Sequence, residues 1–150
     1  MSPLAPHATA QVTDNGRGPV RHLVLVLGDQ LSHDLPALDG FDPTHDAVLM
    51  LETATEAQAV WSHPARIALF LSAMRHFADE LRARGWRVVY RALTEHKAEI
   101  DCPDAQIPEL TVKYHKALDA KITLFSEPGE HRLKTGLAAA MGRAGLAHEE

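Results

Sequence analysis

The run HLVLVLGDQL at residues 22–31 limits the fold more than any other feature of the chain. It is leucine-rich and β-branched, and it is continuous rather than alternating, which suits a strand buried on both faces of a parallel sheet. Gly28 stops it. A polar, proline-containing stretch at 32–46 leads to a second apolar strand, AVLML at 47–51, closed by Glu52. From about His63 to Arg84, Ile67, Phe70, Leu71, Met74, Ala78 and Leu81 recur at helical spacing with Arg75, Asp79 and Arg82 opposite, which predicts an amphipathic helix. Ser62 or His63 can cap its start, Pro64 fits the first turn, and Gly85 can end it in a left-handed conformation.

WRVVYRAL at 86–93 then reads as a third strand, and the tight link to the helix before it is what a βαβ unit requires. The segment 94–110 has no clean period and reads as a connection into a helix around Glu109–Leu118. KITLF at 121–125 is a fourth strand, and RLKTGLAAAMGRAG at 132–145 a last helix, with room for a fifth strand from Leu146. The predicted fold class is α/β: an open, doubly wound, Rossmann-like parallel sheet of four to five strands with helices on both faces. Residues 1–20 read as a disordered N-terminal lead-in and 21–150 as one α/β domain, expected to be incomplete at its C-terminal end.

A chain of 150 residues, 45% hydrophobic and 23% charged, has the composition of a single soluble domain. Its longest apolar runs have five residues, against roughly 20 for a membrane span. The first 21 residues lack the h-region of a secretory signal, so a cytoplasmic location is expected, with no membrane partner. The single cysteine, Cys102, excludes an internal disulfide framework and a cysteine-rich zinc site. A net charge of -5 argues against direct nucleic-acid binding. Residues 62–97 run the other way, with seven basic side chains (Arg66, Arg75, Arg82, Arg84, Arg87, Arg91, Lys97) against three acidic ones. That excess reads either as a solvated helix face or as a docking face for an acidic partner.

In an open α/β sheet, ligands bind beyond the carboxyl ends of the strands. The residues there are acidic: Asp29 after the first strand, Glu52 and Glu56 after the second, Glu127 and Glu130 after the fourth. Such a set repels phosphate but accepts hydrogen bonds, which suits sugar-alcohol hydroxyls, the N–H edge of a heterocycle, or a magnesium ion. Bland alternatives stand beside each: Asp29 as a turn cap, Glu52 and Glu56 as solvated carboxylates, EPGE as a turn entering a helix. No phosphate-binding glycine loop follows a strand, the ten histidines show no metal-ligand spacing, and Ser32–His33 adjacency does not make a triad.

These residues resemble a known family. LVLVLGDQLS at 23–32, the acidic strand end at Glu52, the block 67–93 containing FLSAMRHFADELR, and SEPGEHRL at 126–133 are similar to the N-terminal α/β domain of the photolyase-related bacterial proteins, the iron–sulfur cryptochromes and (6-4) photolyases. The resemblance implies an antenna chromophore, 6,7-dimethyl-8-ribityllumazine or a flavin-like molecule, which passes excitation to FAD in a separate helical domain. The antenna contacts it implies are Gly28, Asp29, Gln30 and Leu31, then Glu52 and Glu56, then Glu127, Pro128, Gly129 and Glu130. The chain departs from the family in AVWSHPARI at 59–67, which keeps only His63 and Arg66 of a more aromatic and basic stretch, and in His131, where a tryptophan usually follows EPGE.

The FAD-binding helical domain and the iron–sulfur cysteines have no counterpart in these residues. FAD and an iron–sulfur cluster are therefore not expected on this chain, and repair by the chain alone is not expected either. The partner the resemblance implies is a helical FAD-binding domain or subunit. The other readings are a ligand-free interaction domain docking through residues 62–97 and a magnesium-dependent phosphohydrolase built on Asp29 and Glu52.

Overall fold

A computed structural model of the chain describes residues 11–53, 63–92 and 106–150. Among the described residues six strands form one sheet: β1 (Gln11–Asp14), β2 (His22–Leu25), β3 (Ala47–Leu51), β4 (Val88–Ala92), β5 (Ile122–Phe125) and β6 (His148–Glu149). Three helices accompany them: α1 (Pro64–Ala83), α2 (Ile107–Ala117) and α3 (His131–Arg143), with a 3-10 turn at Pro36–Leu38. The strand order is β1-β4-β3-β2-β5-β6. β2 to β6 are parallel, and β1 pairs antiparallel with β4. The fold is the expected Rossmann-like α/β class, with helices on both faces.

The continuous apolar runs have a direct cause, because alternate residues enter two separate cores. Val24, Val26, Val48, Met50, Val88 and Tyr90 pack on Met74, Phe77, Ala78 and Leu81 of α1. Leu23, Leu25, Leu49, Leu51, Val89 and Phe125 pack on the other face, against Ile107, Leu110 and Tyr114 of α2 and Leu137 of α3. Neither face of β2 or β3 meets water, so neither can alternate with polar residues.

Helix ends follow from sequence just as closely. The His63 imidazole Nδ1 accepts from the Ala65 amide at 3.1 Å and caps α1, with Pro64 in the first turn. All three helices then close the same way: Trp86, Ala120 and Leu146 donate back to the carbonyls of Leu81, His115 and Met141. Each bond spans a left-handed residue, Gly85 (φ 79), Asp119 (φ 50) or Gly145 (φ 67), so each helix turns straight into the next strand.

Three sequence expectations change. Residues 11–14, expected within a disordered lead-in, form the edge strand β1. The sheet consequently has six strands rather than four to five. α2 begins at Ile107, because Pro108 sits in its first turn, where no amide donor is needed, rather than before it.

β1 is held by side chains rather than by burial. Arg87 makes a two-pronged ion pair with Asp14 (2.9 and 2.8 Å), Arg82 donates to Thr13 Oγ1 (2.7 Å), and the Asn15 amide bonds both the Trp86 carbonyl and the Val88 N–H. A four-residue run with one apolar side chain gives periodicity nothing to detect.

Candidate functional site

Among the parallel strands β2 to β6, chain direction across the sheet reverses once. From β2 it runs outward through β3 to β4, then returns beyond β2 to β5 and β6, so the switch point lies between β2 and β5. The crevice beyond their carboxyl ends is the site this architecture offers a ligand. The segments 28–31 and 126–130 meet there.

Gln30 bridges the switch point. Its Nε2 donates to the carbonyls of Glu127 (2.9 Å) and Ser126 (3.4 Å). Two carbonyl partners fix which end of the amide is nitrogen, so the other end must be an acceptor. That acceptor, Oε1, is buried and has no hydrogen-bond partner among the described residues. Leaving such a group unmet costs about 1–3 kcal/mol, which marks a place for a donor.

Around it, Asp29 is exposed, and its Oδ2 lies 3.6 Å from where a side chain on Gly129 would begin. Pro128 is buried. The Glu130 carbonyl accepts from Leu133 and Lys134 at the start of α3, and its side chain makes no cap bond. Glu127 is exposed and pairs with Lys134 at 2.9 Å, which holds its carboxyl below the ordinary range; Lys134 also reaches Glu150 at 2.9 Å. Beside this lies a cleft of about 450 Å³, walled by Pro36, Ala37 and Asp39, floored by Leu124 and Phe125, and rimmed by Ser126, Glu127, Glu149 and Glu150. The Ala37 amide donates to Ser126 Oγ (3.1 Å) and pins the 3-10 turn over the end of β5.

Other sequence candidates have different surroundings. Gly28 is buried, and a Cβ there would fall 2.2 Å from the Phe70 ring, so its lack of a side chain admits Phe70 and Met74 of α1. Leu31 is half-buried against the α1-side core.

Glu52 is not a solvated carboxylate: it is fully buried, and Arg75 grips it through Nε (2.7 Å) and Nη2 (3.0 Å). Tyr90 donates its hydroxyl to Glu52 Oε1 (2.5 Å), and Arg91 donates to the Glu52 carbonyl (3.0 Å). Burial first, and then the bond to Glu52, push the Tyr90 phenol far above its ordinary range, so it stays a donor. Glu56 lies outside the described residues.

Arg75 and Tyr90 were not among the sequence candidates. Arg75 reads as part of the polar helix face, and only the tertiary fold swings it onto Glu52. Four described arginines of the basic region 62–97 are likewise engaged within the chain, Arg75 and Arg91 on Glu52, Arg82 on Thr13 and Arg87 on Asp14. No group of three or more His, Cys, Asp or Glu side chains among the described residues is placed to share a metal ion. No helix among them is long and apolar enough to cross a membrane.

Fold and crevice together define a Rossmann-like domain with a polar carboxyl edge between β2 and β5. The deoxyribodipyrimidine photo-lyase-related protein family matches residues 24–149, and the chain belongs to that family. It is 41% identical over 127 residues to a (6-4) photolyase of Agrobacterium fabrum, an alignment covering 80% of this chain and 23% of that protein. The chain thus spans less than a quarter of the length of this curated relative.

Proposed function

We propose that this domain binds an antenna chromophore of the ribityllumazine or flavin class at the crevice between the carboxyl ends of β2 and β5. The observation that carries the reading is the buried Gln30 Oε1, without a hydrogen-bond partner among the described residues; the Ser126 and Glu127 carbonyls that hold its amide belong to segments lining the neighbouring cleft of about 450 Å³, a volume within the range of roughly 300–1,000 Å³ typical of small-molecule sites. The polar groups fit such a ligand: Gln30, Asp29, Glu127 and Glu130 offer acceptors to ribityl hydroxyls and ring N–H groups, while the buried Pro128 shapes the turn that carries Glu127 and Glu130. When bound, the chromophore would absorb near-ultraviolet light and pass the excitation to a flavin held by a helical domain or subunit. Glu52 contributes by keeping the end of β3 rigid through Arg75 and Tyr90. This occupied carboxylate also favours a chromophore over the phosphohydrolase reading, which needs Glu52 free for magnesium. Photorepair or photosensing by a longer photolyase-related protein is the role within which this binding makes sense.

Reconstitution with 6,7-dimethyl-8-ribityllumazine tests the proposal. Purified chain mixed with the chromophore should quench or shift its fluorescence with saturation, and Gln30→Ala should weaken binding by about tenfold, as loss of a buried hydrogen-bonding group does. A titration without any spectral change in the wild-type chain would remove chromophore binding. Equal affinity of the Gln30→Ala variant would move the site elsewhere.

A further inference from the structure

The cleft at the carboxyl edge is lined by the carboxylates of Asp39, Glu127, Glu149 and Glu150, and by no basic side chain among the described residues. Lys134 reaches toward it from α3, but its ammonium is already shared between Glu127 and Glu150, at 2.9 Å each. Asp39 and Glu149 are exposed, and no ion pair within the described residues reaches either. α3 starts just after Glu127, and the first turn of a helix draws anions. Here Glu130 holds the cap position and Glu127 precedes it, so the chain puts its own negative charge where a phosphate would go. His131 and Arg132, the basic residues of that first turn, do not line the cleft.

We infer that this cleft accepts ribityl compounds whose chain ends in a free hydroxyl and rejects the 5′-phosphates of the same compounds, a selectivity that rests on the chromophore reading above. A terminal hydroxyl can donate to the carboxylates. That matches the other polar demand of the crevice, since Gln30 Oε1 is a buried acceptor without a donor among the described residues. Phosphorylation replaces the hydroxyl by acceptor oxygens carrying about -1.5 to -2 charge, so attraction becomes repulsion. Orientation does not relieve it. A cleft of about 450 Å³ is roughly 8 Å across, no more than a Debye length at physiological salt, so a phosphate anywhere inside it feels the acids that line it. Each exposed carboxylate contributes little alone, and the discrimination is the sum over the set, less the charge that Lys134 offsets.

Riboflavin and FMN test this directly, because they share ring and ribityl chain and differ only in the 5′-phosphate. Titrated by flavin fluorescence against the full chain at about 0.15 M salt, riboflavin should bind at least about tenfold more tightly than FMN. Asp39→Asn combined with Glu149→Gln should cut that ratio by about threefold or more, and so should about 1 M salt, which shortens the Debye length to about 3 Å. FMN bound as tightly as riboflavin would overturn the selectivity and leave the chromophore reading standing. A ratio that neither the double variant nor salt alters would do the same, since shape rather than charge would then set it. Should ribityllumazine bind and neither flavin fit, the same ratio is read on ribityllumazine and its 5′-phosphate. Binding of none of these compounds would remove the chromophore reading and the selectivity together.

Discussion

The two edges of this sheet are built from similar residues and held in different ways. At the amino edge two acids, Asp46 and Asp14, each carry both a guanidinium and a backbone amide. Asp46 is buried before β3 and accepts from Arg21 Nε (2.9 Å) and Nη2 (2.7 Å), from the Asp42 amide (2.8 Å) and from the His22 amide (3.2 Å). Asp14 is clamped by Arg87. All three helices also end at this edge, in matching left-handed turns. The carboxyl edge is divided. At β3, Glu52 is saturated by Arg75, Tyr90 and Arg91, whereas between β2 and β5 Gln30 keeps a buried acceptor unmet and Asp29 stands exposed. The difference teaches that an acidic residue at a strand end is not by itself a ligand contact, because what decides is whether the fold has already supplied its donors.

The sharpest way to break that comparison is to remove one tied acid and one slack group. Asp46→Ala strands two part-buried amides and the Arg21 guanidinium, and should destabilise the chain by about 2–4 kcal/mol. Gln30→Ala removes an unmet acceptor along with two bonds to carbonyls, and should change stability by less than about 1 kcal/mol. Urea unfolding midpoints compare them directly, and equal losses would erase the distinction. Arg75→Ala falls close behind Asp46→Ala. It leaves the buried Glu52 carboxylate with Tyr90 but without its guanidinium, and since Arg75 is half exposed, water can enter in its place. A loss of about 2–3 kcal/mol is expected, below that of a fully buried pair, and Arg75→Lys should recover only part of it, since Lys cannot grip both oxygens.

Much of the fold was legible because burial on two faces leaves its mark on sequence. The strand runs at 22–31 and 47–51 and the α1 stripe were all readable as continuous or helical apolar patterns. β1 was not, because its stability comes from Arg87, Arg82 and Asn15, long-range polar partners that periodicity does not register. The candidate site divides the same way. Gln30 and Glu127 were placed at one edge by the strand-end rule. The state of Glu52 depends on Arg75 and Tyr90, which lie 23 and 38 residues away, and no spacing rule joins them.

Acid should sharpen the comparison next, since one imidazole and several carboxylates at the amino edge, Asp46 with Asp14 and Asp42, respond to it. Burial holds the His115 imidazole, hydrogen-bonded to Thr123 Oγ1 at 2.7 Å, below its ordinary 6.5. The unfolded chain then binds that proton more readily than the folded one, so stability falls as pH drops below about 6.5 and on toward the folded value. Burial opposes the Asp46 carboxylate, but Arg21 and the Asp42 amide outweigh it and hold its carboxyl below 3.8. Its contribution is complete above the unfolded value and is lost as pH falls from 3.8 through the folded one. Unfolding midpoints between pH 7 and 3 should therefore fall in two stages. His115→Gln should flatten the upper stage and leave the lower; a profile unchanged by His115→Gln would show that another group titrates there.

The smallest expected effect separates two glycines, one at each edge. Gly85, at the amino edge, has open space where a Cβ would stand, so Gly85→Ala costs only its left-handed backbone, φ 79, about 1 kcal/mol. Gly28, at the carboxyl edge, meets Phe70 at 2.2 Å. Gly28→Ala must push that ring off the end of β2, which costs about 1–3 kcal/mol as overpacking. Phe70 is aromatic and half-buried, so Gly28→Ala should also displace it toward solvent, and Phe70→Leu in the same chain should restore most of the loss. For Gly85→Ala no second substitution at a packing neighbour should help, because none is in contact. A rescue pattern found at both sites, or at neither, would mean that the two edges store their constraints alike.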